Sequence, residues 1–131
     1  MAAAVRYFSR SGNTKTVAEG IAQGAGVAAV SVDAADAPIT EKVDVLFLGG
    51  AVYAHNLDAH MKAYLPTLSK ELVGKAVLFS TSMRSRHGLD VMRKALEAKG
   101  IPVETTVLYV KGKEAQASVD KAKAFGAKFA G

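Results

Sequence analysis

The 131-residue chain is about the size of one ordinary domain, half hydrophobic and 22% charged, with no composition break to mark a second. It has no cysteine, which excludes disulfides, thiol nucleophiles and cysteine-ligated zinc or iron–sulfur centres, and fits a reducing cytoplasm. The net charge of +5 and pI of about 9.5 favour acidic partners, although basic and acidic residues alternate as on an ordinary wetted surface. Met1-Ala2-Ala3-Ala4-Val5-Arg6-Tyr7 carries no basic leader followed by an apolar stretch, so no signal peptide is expected. The longest mostly apolar run, residues 45–54, contains two glycines and is too short to span a bilayer. A soluble, cytoplasmic protein is expected, with neither a membrane span nor nucleic acid among its partners.

Residues 2–8 read as a short first strand. Val17, Ala18, Ile21 and Ala22 then recur at helical spacing, which predicts a helix over 13–23 closed by Gly24 and Gly26. Residues 27–32 form a second strand, and 33–42, with Asp, Pro and Thr, a connection holding at most one helical turn. Residues 43–49 are apolar apart from Asp44, the mark of a strand covered on both faces. Leu57, Met61, Leu65, Leu68 and Leu72 define the next helix, ended by Gly74. Residues 76–81 are another buried strand. Leu89, Met92, Ala95 and Leu96 mark a helix stopped by Gly100 and Pro102. Val103, Thr105, Val107 and Tyr109 alternate with more polar neighbours, as an edge strand does, and Ala115, Val119, Ala122 and Phe129 give the last helix.

Five strands alternating with helices, one helix being reduced or lost between strands two and three, predict a single α/β domain over 1–131 with a doubly wound parallel sheet. The abundance of Ala and Gly predicts closely packed elements. Arg6 is a misfit inside the first strand, aimed at solvent or an acidic partner. Ligands of such sheets gather at the carboxyl ends of the strands, beside the switch in strand order.

Three segments occupy those places. After strand one, Ser9-Arg10-Ser11-Gly12-Asn13-Thr14 opens directly into a helix. A helix start offers unpaired N–H groups and a positive dipole end, the hydroxyls add donors, and Gly12 lets backbone come close, so the loop suits a phosphate. An ordinary cap needs only one such residue. The loop lacks the Gly-Lys-Ser/Thr ending of a nucleoside-triphosphate loop and the three spaced glycines of a dinucleotide fold, so a terminal monophosphate is the better guest. After strand three comes Gly49-Gly50-Ala51-Val52-Tyr53-Ala54-His55-Asn56-Leu57, and after strand four Ser80-Thr81-Ser82-Met83-Arg84-Ser85-Arg86-His87-Gly88. His55 and His60 stand five apart, one more than a metal pair on one helix face requires. No Gly-x-Ser-x-Gly elbow supports a serine hydrolase. A phospho-receiver domain needs aspartates where Ser9 and Gly49 stand. Lys111, Lys113, Lys121, Lys123 and Lys128 are spread around the last helix as its wet face.

The run Tyr7-Phe8-Ser9-Arg10-Ser11-Gly12-Asn13-Thr14 closely resembles the phosphate loop of flavodoxins, and the strand–helix rhythm matches theirs along the whole chain. The resemblance implies a five-stranded sheet in the order 2-1-3-4-5 and a bound flavin mononucleotide (FMN) whose phosphate lies in residues 9–14. It also implies that Tyr53 packs on or beside the flavin ring, with Ala51, Val52, Ala54 and Asn56 near its edge. The second side of the ring then falls to Ser80, Thr81, Ser82, Met83 and Arg84. Here the chain departs from the family pattern, with no aromatic residue and with Arg84, Arg86 and His87 in place of acids. Met83 offers a polarizable substitute for the missing ring. Because cations stabilise the negative charge a flavin gains on reduction, the departure implies a less negative potential for full reduction.

What the resemblance implies about function is a flavin-based redox protein that passes electrons to a protein partner, with no catalytic side chain and no metal. Alternatives are action on a small substrate, as in the flavodoxin-like quinone-dependent protoporphyrinogen oxidases, activation of another enzyme, as in ribonucleotide reductase accessory proteins, or a flavin-free binding module. The lack of a long insertion in the last strand favours the electron carrier. The basic charge, unusual in a usually acidic family, points to acidic partners; oligomeric state stays open.

Overall fold

Strand and helix alternate through the computed structural model, which describes residues 2–10, 12–53, 56–82 and 87–130 and, of residues 51–53, 56, 82 and 87, the backbone alone. The elements are β1 (Ala3–Tyr7), α1 (Asn13–Ala25), β2 (Ala29–Ser31), β3 (Val43–Tyr53), β4 (Asn56–Leu57), α2 (Ala59–Tyr64), β5 (Val73–Ser82), α3 (His87–Ala98), β6 (Leu108–Lys111) and α4 (Val119–Ala130). Five strands pair in parallel in the order β2-β1-β3-β5-β6. The two-residue β4 folds back antiparallel on the end of β3. Without β4 the order is 2-1-3-4-5, as expected.

The apolar runs of β3 and β5 lie at the centre, where both faces are covered. Val5, Phe47 and Phe79 face α1 and α4, meeting Val17, Ile21, Ala122 and Phe125. Leu46, Leu48 and Leu78 face α2 and α3, meeting Met61, Tyr64, Met92 and Leu96.

Three element assignments need correction. The leucine spacing from 57 to 72 does not make one helix: Leu57 belongs to β4, α2 stops at Tyr64, and Leu65–Thr67 form a 3-10 turn containing Pro66. Proline lacks the N–H that an α-helix needs beyond its first turn. Gly74 therefore lies inside β5 rather than after a helix. The last strand is Leu108–Lys111, and Val103 makes only an isolated bridge to Ala76. Its inward residues are Leu108 and Val110, of opposite parity to the expected set. Gly24 sits within α1, and Gly26, in the left-handed conformation at φ 75°, ends it.

Helices α1 and α4 approach until backbone meets backbone. A methyl group at Gly126 would strike the Ile21 carbonyl oxygen and lie 2.9 Å from the carbonyl carbon, and one at Gly20 would lie 2.8 Å from Ala122 Cβ. This contact sets the spacing between α1 and α4 on their shared face of the sheet.

Residues 33–42 contain no helix, and Arg6 compensates for it. Its Nε donates to the Ala37 carbonyl at 2.7 Å and its Nη2 reaches the Asp36 carbonyl at 3.5 Å. Tyr64 Oη donates to the same Ala37 carbonyl at 2.6 Å. Burial raises the Tyr64 pKa above its ordinary value, an effect partly offset by Arg6. Arg6 thus points neither to solvent nor to a partner but fastens a helix-free connection to the sheet.

Two substitutions test these contacts. Gly126→Ala is expected to destabilise the fold by about 2 kcal/mol through overpacking, read by urea unfolding; a loss under about 0.5 kcal/mol means the helices do not touch as described. Arg6→Met, which keeps the stem and removes the guanidinium, is expected to cost about 2 kcal/mol for the lost charged donor. An unchanged unfolding midpoint contradicts the fastening role.

Candidate functional site

Parallel pairing brings the carboxyl ends of β1, β3 and β5 side by side: Tyr7 lies opposite Gly49, and Gly50 opposite Ser80. The strand order reverses at β1 and β3, where open sheets present a crevice. The loop after β1 enters that crevice.

Gly12 turns this loop into α1 with φ +92°, a conformation that side-chain-bearing residues rarely adopt, and a Cβ built on it meets nothing within 4 Å. Its outer face is therefore open. The Gly12 N–H donates to Ser9 Oγ at 3.0 Å, which curls the loop. The Gly12 carbonyl accepts both the N–H and the hydroxyl of Thr16, each at 3.0 Å. As the cap residue, Gly12 brings no side-chain acceptor to the helix end, and the first turn holds no acidic residue. The positive end of the α1 dipole is thus left for an anion. The hydroxyls of this segment suit a phosphate, whose oxygens accept hydrogen bonds. The residues present fit the phosphate of FMN.

Two long-range contacts hold the loop. Thr14 Oγ1 lies 2.5 Å from Thr81 Oγ1, at the end of β5, and both residues are buried. Arg10 Nε donates to Asp58 Oδ2 at 3.1 Å. Asp58 has a fully buried side chain and caps α2: its Oδ1 accepts the His60 N–H at 2.8 Å and lies 3.0 Å from His60 Nδ1. The His60 ring stacks on Phe8, with centroids 4.0 Å apart and planes within 9°. One buried carboxylate therefore joins the loop after β1 to the helix after β4.

Of the residues expected to hold a ligand, Ser9, Arg10, Gly12, Asn13 and Thr14 lie together on this loop, and Thr81 touches it. Ser80 is fully buried, and its hydroxyl donates to the Gly50 carbonyl at 2.6 Å, so it ties β5 to β3. The backbones of Ala51, Val52 and Tyr53 end β3, Asn56 pairs with Tyr53, and Ser82 ends β5. Ser11, Ala54, Met83 and Arg84 lie outside the described residues, as do His55 and Arg86, and the packing of the Tyr53 ring lies outside the described side chains. Sequence reasoning missed Asp58 and Phe8. An aspartate just before a helix is itself a capping signal, but its partner Arg10 stands 48 positions earlier. Among the described residues no group of three His, Asp or Glu is placed to hold a metal, and no helix is long and apolar enough to cross a membrane.

The fold is shared with several solved structures. A flavodoxin from the domain Archaea superposes with a TM-score of 0.82 at 22% identity, over 99% of this chain and 96% of that one. Oxidised flavodoxin 2 from Bacillus cereus gives 0.80 at 20% identity, over 99% and 98%. The Flv1 flavodiiron core from Synechocystis sp. PCC6803 gives 0.78 at 21% identity over 98% of this chain but 34% of that larger one. No curated protein matches the sequence. The flavodoxin domain family matches residues 4–124, nearly the whole chain. With that match and the five-stranded 2-1-3-4-5 sheet, the chain belongs to the flavodoxin family.

Proposed function

We propose that this protein binds FMN at the crevice between β1 and β3 and carries electrons to a protein partner. The observation that carries this reading is the start of α1: a positive-φ glycine with an open outer face, a cap without a side-chain acceptor, and no acid in the first turn. Ser9, Arg10, Ser11, Gly12, Asn13 and Thr14 hold the phosphate. Ala51, Val52, Tyr53, Ala54 and Asn56 line one side of the ring, and Ser80, Thr81, Ser82, Met83 and Arg84 serve the other, Ser80 through the backbone it fixes. When bound, the flavin supplies the electron chemistry, and the chain supplies binding, orientation and shielding from water. Asp58 orients Arg10, and the glycine contact between α1 and α4 keeps the helix end in place. The net charge of +5 supports an acidic partner for a protein working in the cytoplasm.

Titration of the purified chain with FMN tests the site. A yellow one-to-one complex is expected, and Ser11→Asp should weaken it about a hundredfold by setting a carboxylate against the phosphate while leaving riboflavin binding nearly unchanged. A chain that leaves the absorbance and fluorescence of saturating FMN unchanged, and emerges colourless once free FMN is removed, sinks the reading and supports a flavin-free binding module.

The basic segment after β5 sets the direction of a second test. Redox titration of the FMN complex should give a more negative potential for full reduction in Arg84→Glu/Arg86→Glu than in wild type, because the change removes cations that stabilise the reduced form. An unchanged or raised potential refutes the assignment.

A further inference from the structure

The Thr14–Thr81 pair holds more donor capacity than its own contact uses. Each hydroxyl carries one proton and two acceptor sites. Only one of the two protons can lie on the 2.5 Å line between the oxygens. The other is left over for a further acceptor. Thr14 stands in the first turn of α1 next to the open Gly12, whereas Thr81 lies on the strand behind it.

We infer that Thr81 is a positioning residue for phosphate binding, acting through Thr14; this rests on the FMN reading above. A phosphate offers acceptors, so it draws the free proton to the side of the pair that meets it. Thr14 then donates to the phosphate, and its oxygen accepts the Thr81 proton. Thr81 O–H to Thr14 O–H to phosphate is a directed chain in which each bond polarises the next, an effect strengthened by the low dielectric of a buried pair. The same contact ties the phosphate loop to β5, whose continuation serves the ring, so one hydroxyl couples the two halves of the proposed flavin site.

The test is a double-mutant cycle read as FMN and riboflavin dissociation constants, with thermal melts on every variant. Thr81→Val keeps the β-branched shape and removes the hydroxyl. It should weaken FMN about tenfold, the scale of a hydrogen bond to a charged group, and riboflavin, which has no phosphate, by a clearly smaller factor. Thr81→Ser restores the donor and should bring FMN affinity back to within about twofold of wild type. In a Thr14→Val background, Thr81→Val should add almost nothing, since the chain is already cut. Equal losses for FMN and riboflavin, full additivity of the two changes, or a Ser variant no better than Val overturns the inference while leaving FMN binding intact. A wild-type chain that takes up no FMN overturns both.

Discussion

A helix end can serve as a binding surface only if it cannot drift, and in this fold the position of α1 is set from the side by α4. The two helices touch through backbone atoms at Gly126 and Ile21, and through Gly20 and Ala122. Such a contact has no flexible side chain to absorb a displacement, because close-packed interiors transmit small shifts rather than damping them. The first turn of α1 is therefore held at one distance from α4, and the turn at Gly12 is built outward from a fixed base. Glycine and alanine suit these positions, because bulky residues there would push α1 away from α4 and shift the loop that precedes it.

From the front the loop is held by two unlike contacts. The Thr14–Thr81 pair is neutral and buried, and it fixes the helix side of the loop to the sheet. The Arg10–Asp58 pair is ionic and lies at the boundary, with the arginine side chain 59% exposed and the aspartate wholly buried. A buried carboxylate is tolerable only when its oxygens are occupied. Those of Asp58 are taken up by Arg10 and His60, while His60 leans its ring on Phe8. The charge on Arg10 is offset at its base, so the proposed phosphate is met chiefly by oriented amides and hydroxyls. Dipoles fixed before the ligand arrives need no reorganisation to receive it.

The first strand, the loop and α1 are readable in the sequence because their signals are local. Ser9 to Thr14 follow an apolar run directly and precede helical spacing, and both family and fold agree with that reading. Where the sequence misled, tertiary burial imitated secondary structure. Leu57, Met61, Leu65 and Leu68 share one buried cluster, but a strand, a short helix, a 3-10 turn and the extended residue after it deliver them to it. Their spacing reported a common destination rather than a common helix, and Pro66 was the residue that distinguished the two. The contacts that fix the loop were not legible at all. Arg10 and Asp58 are 48 residues apart, and Thr14 and Thr81 are 67 apart, so only the parallel register of β1, β3 and β5 brings them together.

Arg6 shows why a positive net charge is a poor map of a surface. All three described arginines are committed within the structure: Arg6 to the connection after β2, Arg10 to Asp58, and Arg93 to the Glu104 carbonyl at 3.0 Å. The planar fork of arginine suits such fixed, multiple bonds. Among the other described basic residues, the lysines Lys15, Lys62, Lys94, Lys113, Lys121 and Lys123 are exposed, on several elements rather than one face. A lysine ammonium is strongly hydrated and flexible, and it attracts at a distance more than it binds in a defined geometry. Spread over several elements, this charge suits attraction of the proposed acidic partner at a distance more than it marks a docking position.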